Sequence, residues 1–166
     1  MSFKIILADD HPLILTGIRS LIEQIQPHCE VIAEAHQVSD LLVLLQQHHC
    51  DLLITDFSMP GDIRSDGMVM IQQLRRDYPK LPMIVLTQIH NAGILQSLIQ
   101  LGVSGVLLKK AVISELSDAI RQILSGHIDG RPGLPSPQSM KVSQVEIAAI
   151  DPDFTEATAS IPDGIR

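Results

Sequence analysis

The sequence predicts an α/β fold with a doubly wound parallel sheet, and three features of the chain support this prediction. Short apolar runs alternate with longer amphipathic stretches as far as about Gly126. The apolar runs are continuous, which is typical of parallel strands that helices cover on both faces. Four of the runs stop at reactive polar residues, as expected where the carboxyl ends of strands form a binding edge.

Five strands follow from the apolar runs. They are predicted at residues 3–8, 30–35, 51–55, 83–86 and 105–108. The first strand stops at Asp9 and Asp10, and the third stops at Asp56. The fourth stops at Thr87 and the fifth at Lys109. Because parallel strands end at the same edge of a sheet, this pattern predicts one edge that carries acids, a hydroxyl and an ammonium group.

The first three helices are recognised by their start and stop signals. Pro12 suits the first turn of a helix, where its missing N–H is not needed. That helix is predicted to end before Pro27, because proline cannot continue it. Ser39 is predicted to cap the second helix. Asp66 is predicted to cap the third, which runs to about Asp77.

The fourth and fifth helices carry apolar residues at helical spacing. In the fifth helix these residues recur three and four positions apart, at Leu116, Ala119, Ile120, Ile123 and Leu124. Ser114 is predicted to cap this helix and Gly126 to end it. Gly102 is predicted to close the fourth helix, because glycine readily adopts the left-handed conformation found after helix ends.

Alternating strands and helices of this kind predict a flavodoxin-like (βα)5 fold, a three-layer sandwich with the strand order 2-1-3-4-5. Crossovers between parallel strands are right-handed, which places helices on both faces of the sheet. In this order the first and third strands are neighbours at the point where the winding reverses. Asp9, Asp10 and Asp56 are therefore predicted to lie side by side.

The composition changes after Gly126, which divides the chain into a domain over residues 1–126 and a tail over residues 127–166. The tail contains five of the ten prolines, and it has three basic and six acidic residues. We expect the tail to be an extended and largely disordered linker, because its brief apolar segment over residues 142–150 is too short to fold alone. It is also too short and too acidic for a helix-turn-helix DNA-binding domain.

The composition of the whole chain argues against several classes of protein. The net charge of −7 disfavours nucleic-acid binding, because contacts to phosphate need clustered lysine and arginine. No apolar run approaches the ~18 residues needed to cross a membrane. The two cysteines lack the spacing of a metal or redox motif, and the N-terminus lacks the features of a signal peptide. A cytoplasmic protein without a membrane partner is therefore expected.

The predicted edge has the chemistry of a phosphoryl-transfer site. Crowded carboxylates repel one another unless a cation joins them, and Mg²⁺ takes one or two protein carboxylates while it shares phosphate oxygens. Asp56 ends a central strand, so it is the best candidate for a carboxylate nucleophile that forms an aspartyl phosphate. Lys109 offers a positive charge for a phosphoryl oxygen, and Thr87 offers a hydroxyl donor.

His11 lies beside these acids and has two interpretations. Its position directly before Pro12 is typical of a helix N-terminus, and this is the interpretation that we favour. The alternative is a hydrogen bond between its ring and the acidic pocket.

Four motifs at this edge make the chain resemble a response regulator receiver domain of the CheY-like kind over residues 1–126. The motifs are Ala8-Asp9-Asp10-His11-Pro12, Thr55-Asp56-Phe57-Ser58-Met59-Pro60-Gly61, Val85-Leu86-Thr87 and Gly105-Val106-Leu107-Leu108-Lys109. Each motif is weak alone, and their order and spacing make the set specific. The Asp-Asp-His-Pro start resembles the NarL/FixJ class, and the long loop from Asp56 to Gly67 resembles its RcsB-type branch.

The resemblance implies a role for each acid at the edge. Asp56 is implied to accept a phosphoryl group from the phosphohistidine of a sensor histidine kinase or a phosphotransfer protein. Asp10, Asp56 and the main-chain carbonyl of Ser58 are implied to bind Mg²⁺. Asp9 is implied to act on the ion largely through water.

The resemblance also implies a conformational switch. Lys109 is expected to pair with the phosphoryl group, and Thr87 to move and hydrogen-bond it. The added charge of about −1.5 to −2 biases a two-state loop and changes the surface of the fourth helix, fifth strand and fifth helix. The resemblance to the NarL/FixJ class implies that the chain derives from a transcriptional regulator and forms a homodimer on phosphorylation. No direct DNA binding by this chain is expected, because the tail is too short and too acidic for a DNA-binding domain.

Two other functions are compatible with parts of this pattern. One is a Mg²⁺-dependent aspartyl-phosphate phosphohydrolase of the haloacid-dehalogenase kind, which carries a second aspartate where this chain has Ser58. The other is a receiver-like module that binds partners without phosphorylation. All the residues needed for phosphorylation are present, which favours the switch. On this interpretation the chain is not an enzyme, beyond catalysing its own phosphorylation and dephosphorylation.

Overall fold

The computed structural model describes residues 2–61 and 67–128 and has the predicted α/β fold. Within these residues, five strands form one parallel sheet in the order β2-β1-β3-β4-β5. The strands are β1 Phe3–Ala8, β2 Cys29–Ala35, β3 Leu52–Asp56, β4 Met83–Thr87 and β5 Gly105–Leu108. The helices are α1 Pro12–Ile25, α2 Val38–Gln47, α3 Gly67–Asp77, α4 Ala92–Gln100 and α5 Val112–Ile128. A 3₁₀ turn, Lys109–Ala111, joins β5 to α5.

The sheet is the middle of three layers, as predicted. α2, α3 and α4 pack on one face, and α1 and α5 pack on the other. Successive side chains of a strand point to opposite faces, so Ile6 joins the core under α2, α3 and α4, while Ile5 and Leu7 join the core under α1 and α5. Burial on both faces is the reason that the strands are continuous apolar runs.

The register of the sheet brings the polar strand ends to one edge. Asp56 lies opposite Leu86 in the pairing of β3 with β4, and Thr87 lies opposite Leu108 in the pairing of β4 with β5. The residues that directly follow β1 and β5 therefore lie at the same edge as Asp56 and Thr87.

Two of the predicted helix caps are wrong. α2 begins at Val38, with Gln37 in the N-cap position, so Ser39 lies within its first turn. α5 begins at Val112, so Ser114 also lies within the helix. In both helices the first residue is a buried valine, since Val38 is 2% exposed and Val112 is 5% exposed. Core packing, and not a capping hydroxyl, therefore determines where these helices start.

Of the other predicted helix boundaries, the start of α1 and the end of α4 are confirmed, and the end of α5 is wrong. α1 starts at Pro12 and α4 is closed by Gly102, which has a φ of 79°, and both were predicted. α5 continues beyond Gly126, which does not adopt a positive φ, so the predicted end of this helix is wrong. The predicted cap at Asp66 and the part of the predicted tail over residues 129–166 lie outside the described residues.

Two further findings concern the expectations about thiols and membranes. Cys29 and Cys50 are free thiols. Burial raises the pKa of Cys50 to about 11, so its thiol stays protonated at neutral pH. Over residues 2–61 and 67–128, none of the helices combines the length and the apolar character needed to cross a membrane.

Gly67 lies where α3 approaches the end of β3 most closely. A Cβ atom at this position would collide with the carbonyl oxygen of Phe57 and lie 2.8 Å from the Phe57 ring. We expect Gly67→Ala to lower the free energy of unfolding by about 1–3 kcal/mol, the usual cost of overpacking a core. Urea unfolding followed by circular dichroism measures this change.

Gly17→Ala is the matched control for this substitution. Gly17 lies within α1, and a Cβ atom there would have nothing within 4 Å. This variant is expected to be more stable than the wild type by about 0.5–1 kcal/mol, because glycine in a helix loses more backbone entropy than alanine. A Gly67→Ala variant as stable as the wild type would contradict the close approach of α3 to Phe57.

Candidate functional site

Asp9 anchors the loop that joins β1 to α1. Its side chain is 1% exposed, and its main-chain N–H donates a hydrogen bond to the carbonyl of Ala35 at 3.0 Å. Its Oδ1 atom accepts a hydrogen bond from the main-chain N–H of His11 at 2.9 Å and lies 2.8 Å from the Nδ1 atom of the His11 ring. These contacts fix the path of the chain into α1 and leave Oδ2 facing Lys109, whose Nζ atom is 2.9 Å away.

Asp56 is the last residue of β3 and is 3% exposed. Its Oδ1 atom accepts a hydrogen bond from the main-chain N–H of Ser58 at 3.2 Å, and its Oδ2 atom lies 3.0 Å from Lys109 Nζ. Burial raises the pKa of Asp56 and outweighs the hydrogen bonds from Lys109 and Ser58, which lower it. The nearby charge of Asp9 also raises this pKa. The Asp56 carboxylate is therefore poorly solvated and depends on Lys109 for its stability.

Lys109 joins the ends of β1 and β3, although it follows β5. Neighbouring strands lie about 4.8 Å apart and β4 separates β5 from β3, so only a long side chain can make this connection. The side chain is 7% exposed, and its ammonium contacts both Asp9 and Asp56. Burial alone would lower the pKa of Lys109, but its hydrogen bonds to the two carboxylates, together with their charges, raise the pKa overall. The ammonium therefore stays charged.

Asp10 and His11 complete the acidic side of the site. His11 Nδ1 lies at similar distances from both acids, 2.8 Å from Asp9 Oδ1 and 3.0 Å from Asp10 Oδ1. Nδ1 also lies 3.4 Å from Lys109 Nζ, so it donates to Asp9 in one tautomer and accepts from the ammonium in the other. Asp10 Oδ1 is buried without a hydrogen-bond partner among the described residues.

The donor set of this site fits a divalent cation. Asp9, Asp10, His11 and Asp56 each place one ligand atom within 4.8 Å of the others. Among the described residues of this site, three carboxylates are accompanied by one ammonium, that of Lys109, which contacts Asp9 and Asp56. Negative charge is therefore in excess. A buried carboxylate oxygen that lacks a donor, as in Asp10, offers a cation an open position, and carboxylate oxygens are preferred ligands of Mg²⁺. The site therefore has the charge and the donor atoms that Mg²⁺ requires.

Thr87 and Ser58 lie at the same edge of the sheet. Thr87 is buried, and its Oγ1 atom accepts a hydrogen bond from the main-chain N–H of Ile89 at 2.9 Å. This bond uses the oxygen as an acceptor and leaves the hydroxyl hydrogen available for another partner. Ser58 contacts Asp56 through its main-chain N–H, while its side chain is exposed.

The structure thus brings Asp9, Asp56 and Lys109 into direct contact and joins Asp10 to them through His11. Both interpretations of His11 hold, because it is the N-cap residue of α1 and its ring bonds Asp9. The sequence signal for the contact between the His11 ring and Asp9 is the position of His11 between Asp9-Asp10 and Pro12. This position keeps the main chain of His11 close to the acids.

A known family and one of its curated members match this chain in sequence. The model of the response regulator receiver domain matches residues 5–121. Transcriptional regulatory protein RcsB of Salmonella typhi is 38% identical over 125 residues, which cover 75% of this chain and 57% of that protein. The chain therefore spans less than two thirds of the length of this relative.

Solved structures of RcsB resemble the chain in fold. The isolated REC domain of RcsB from Salmonella enterica serovar Typhimurium, in the presence of the phosphomimetic BeF3⁻, matches with a TM-score of 0.71 and 36% identity, over 76% of this chain and 91% of that chain. A structure of two RcsB dimers bound to two parallel DNAs matches with a TM-score of 0.70 and 33% identity, over 89% of this chain and 69% of that chain. Both likenesses extend over most of the sequence.

Proposed function

Because this chain belongs to the response regulator receiver domain family, we propose that it is a phosphorylation switch whose phosphoacceptor is Asp56. It is a receiver domain of the RcsB-like kind, matched in both sequence and fold. The observation that carries the proposal is the contact of Lys109 with both Asp9 and Asp56 at the carboxyl edge of the sheet. This contact sets a fixed cation beside a buried carboxylate, as an acyl-phosphate site requires.

Asp56 acts as the nucleophile through one oxygen of its carboxylate. The oxygen attacks the phosphorus of a phosphohistidine, so that an O–P bond forms and the P–N bond breaks, and the imidazole leaves with the electron pair. Burial weakens the solvation of the attacking oxygen, which is also the cause of the raised pKa of Asp56. Lys109 and the N–H of Ser58 hold the carboxylate in its ionised form.

Asp10, Asp56 and the main-chain carbonyl of Ser58 are the groups that would hold Mg²⁺, with Asp9 acting largely through water. The buried Asp10 Oδ1 atom, which lacks a hydrogen-bond partner within the described part of the chain, supports this assignment. When bound, Mg²⁺ supplies positive charge to the oxygens of the transferring phosphoryl group.

Lys109 and Thr87 convert the chemical step into a structural change. Lys109 exchanges its contact with the Asp56 carboxylate for one with a phosphoryl oxygen. Thr87 donates its unused hydroxyl hydrogen to another phosphoryl oxygen. Since Thr87 also holds the N–H of Ile89, its movement displaces the loop that leads into α4. The surface formed by α4, β5 and α5 changes as a result.

The proposed partners are a phosphodonor and a second copy of the chain. The donor is a sensor histidine kinase or a phosphotransfer protein, and the phosphorylated form is proposed to be a homodimer. The RcsB dimers described above support the second part. A role in regulating transcription is proposed by analogy with RcsB, which is named as a transcriptional regulatory protein.

DNA binding is not assigned to this chain. Its net charge is −7, which disfavours contacts to phosphate. We propose that the receiver extends to the end of α5 at Ile128 and that the acidic, proline-rich sequence after it is a linker. The family match over residues 5–121 and the composition of the tail support this division.

The proposed compartment is the cytoplasm, where Cys29 and Cys50 would remain reduced thiols. The protein is proposed not to be an enzyme for a separate substrate, because the phosphoryl group ends on its own side chain. A haloacid-dehalogenase mechanism has less support, since the position of the second acid is occupied by Ser58, whose side chain is exposed.

Incubation of the chain with Mg²⁺ and acetyl phosphate tests this function. Intact-mass spectrometry is expected to show the addition of one phosphoryl group, and none when EDTA removes the metal. Light scattering of the same samples is expected to show a dimer only in the phosphorylated one. A mass that stays unchanged in the presence of Mg²⁺ would count against the proposal.

A further inference from the structure

His11 places a nitrogen atom among the carboxylate oxygens of the site. The ring atom that faces the acids is Nδ1, which lies 2.8 Å from Asp9 Oδ1, 3.0 Å from Asp10 Oδ1 and 3.4 Å from the Lys109 ammonium. Together with Asp56, these residues offer four ligand atoms within 4.8 Å of one another. The donor set therefore differs from one made of oxygen atoms alone.

The separation of these atoms suits a shared metal ion. In an octahedral site with bonds of about 2.1 Å, neighbouring ligand atoms lie about 3.0 Å apart. His11 Nδ1 and Asp10 Oδ1 have this separation. Because Asp10 Oδ1 lacks a hydrogen-bond partner among residues 2–61 and 67–128, an ion that binds there would also lie within reach of Nδ1.

The main chain of His11 is fixed beside the acids, while its ring can still rotate. His11 is the N-cap residue of α1, and its N–H is bonded to Asp9 Oδ1 at 2.9 Å. Pro12 follows directly and restricts the backbone conformation of His11. The side chain is 55% exposed, so its ring can adjust by the small rotation that coordination requires.

We propose that His11 Nδ1 is a ligand of the bound metal ion and that it shifts the preference of the site toward divalent transition metals such as Co²⁺ and Zn²⁺. This inference rests on the proposed function, because Asp10 and Asp56 would hold the same ion. Imidazole nitrogen suits these ions, whereas Mg²⁺ takes oxygen ligands. Coordination requires the tautomer that carries its hydrogen on Nε2, because Nδ1 then has the lone pair that binds the ion.

Calorimetric titration of the wild type and His11→Ala with Mg²⁺ and with Co²⁺ tests this proposal. His11→Ala is expected to weaken Co²⁺ binding by about 10-fold or more, in the range that ligand and outer-shell changes produce. Mg²⁺ binding is expected to change by less than about threefold, because its oxygen ligands remain. An equal loss of affinity for both ions would overturn the proposal.

His49→Ala is the matched control. His49 Nε2 makes the same kind of contact with a carboxylate, lying 2.9 Å from Asp51 Oδ1, but it belongs to the loop before β3 at the other end of the strand. This variant is expected to bind both ions like the wild type. If the wild type binds neither ion, the proposed function itself fails. If the wild type binds both ions and His11→Ala weakens both equally, only the role of His11 fails, so the two failures are distinguishable.

Nuclear magnetic resonance of the wild type labelled with ¹⁵N-histidine gives an independent readout. On addition of Zn²⁺, the Nδ1 resonance of His11 is expected to shift to the position of a metal-bound nitrogen, with Nε2 protonated. The Nδ1 resonance of His49 is expected to stay unchanged. A His11 resonance that does not move while Zn²⁺ saturates the site would show that the ring is not a ligand.

Discussion

The Asp56→Asn variant is expected to take up no phosphoryl group from acetyl phosphate under conditions in which the wild type takes up one. The side-chain amide has the size of the carboxylate but no ionised oxygen that can attack phosphorus. Its oxygen can still accept the hydrogen bond that Ser58 N–H donates in the wild type at 3.2 Å. The loss is therefore expected to be chemical, and intact-mass spectrometry measures it.

Asp51→Asn is the control for this experiment. Asp51 precedes β3, at the end opposite Asp56, and accepts a hydrogen bond from the N–H of Lys4 at 2.8 Å. This variant is expected to be phosphorylated like the wild type. An adduct of the same mass on Asp56→Asn would contradict the assignment of the phosphoacceptor.

The stability of Asp56→Asn shows whether a loss of phosphorylation comes from the missing nucleophile or from unfolding of the protein. Because burial raises the pKa of Asp56 in the folded protein, its carboxyl stabilises the fold only at low pH, where it is protonated. That contribution is lost as the pH rises through the folded-state pKa. At neutral pH the substitution is therefore expected not to lower the free energy of unfolding, and urea unfolding at pH 7 checks this.

The Lys109→Ala variant is expected to lose about 3 kcal/mol of stability in the absence of Mg²⁺. Lys109 lies between Asp9 and Asp56, at 2.9 and 3.0 Å, and its removal takes away the ammonium that both buried carboxylates contact. Mg²⁺ is expected to restore part of the loss, because it binds the folded site and replaces the missing charge. Urea unfolding with and without Mg²⁺ measures both effects.

The same variant separates binding of the metal from switching. Lys109→Ala is expected to bind Mg²⁺ but to lose the response of α4 and α5 to phosphorylation, which amide chemical shifts would report. Lys80→Ala serves as the control, because Lys80 is exposed in the loop before β4. Unchanged stability of Lys109→Ala without Mg²⁺, or a normal shift response, would contradict the role given to Lys109.

The strands and the acids of the site were predictable because both depend on one regular feature. A strand buried on both faces must be apolar throughout, so its end is marked by the first polar residue. Asp9, Asp56 and Lys109 were found in this way, and the structure brings them into contact. Parallel strands place such residues at one edge whatever the details of the loops.

The starts of α2 and α5 were not predictable from capping residues. Ser39 and Ser114 are favourable caps in isolation, but a cap contributes only about 1 kcal/mol. Burying Val38 or Val112 in the core contributes more, about 1.5–3 kcal/mol for a fully buried side chain. Since the fold decides which valine is buried, the start of each helix depends on tertiary structure.

The direction of individual site side chains also lay beyond the sequence. His11 was expected chiefly at the helix start, but its ring direction depends on a loop that Asp9 fixes through two contacts. The Thr87 hydroxyl was expected to serve a phosphoryl group, and in this structure it accepts a hydrogen bond from Ile89. The directions of these side chains depend on local packing, which cannot be derived from the spacing of residues in the sequence.

The most direct test of the account is to locate the phosphoryl group on the wild-type chain. Borohydride reduces an acyl phosphate to an alcohol, so phosphorylated protein that is reduced and then mapped by peptide mass spectrometry keeps a mark at the acceptor. This mark is expected on Asp56 alone. A mark on Asp9 or Asp10, or a phosphoryl group held by Ser58 or a histidine, would contradict it.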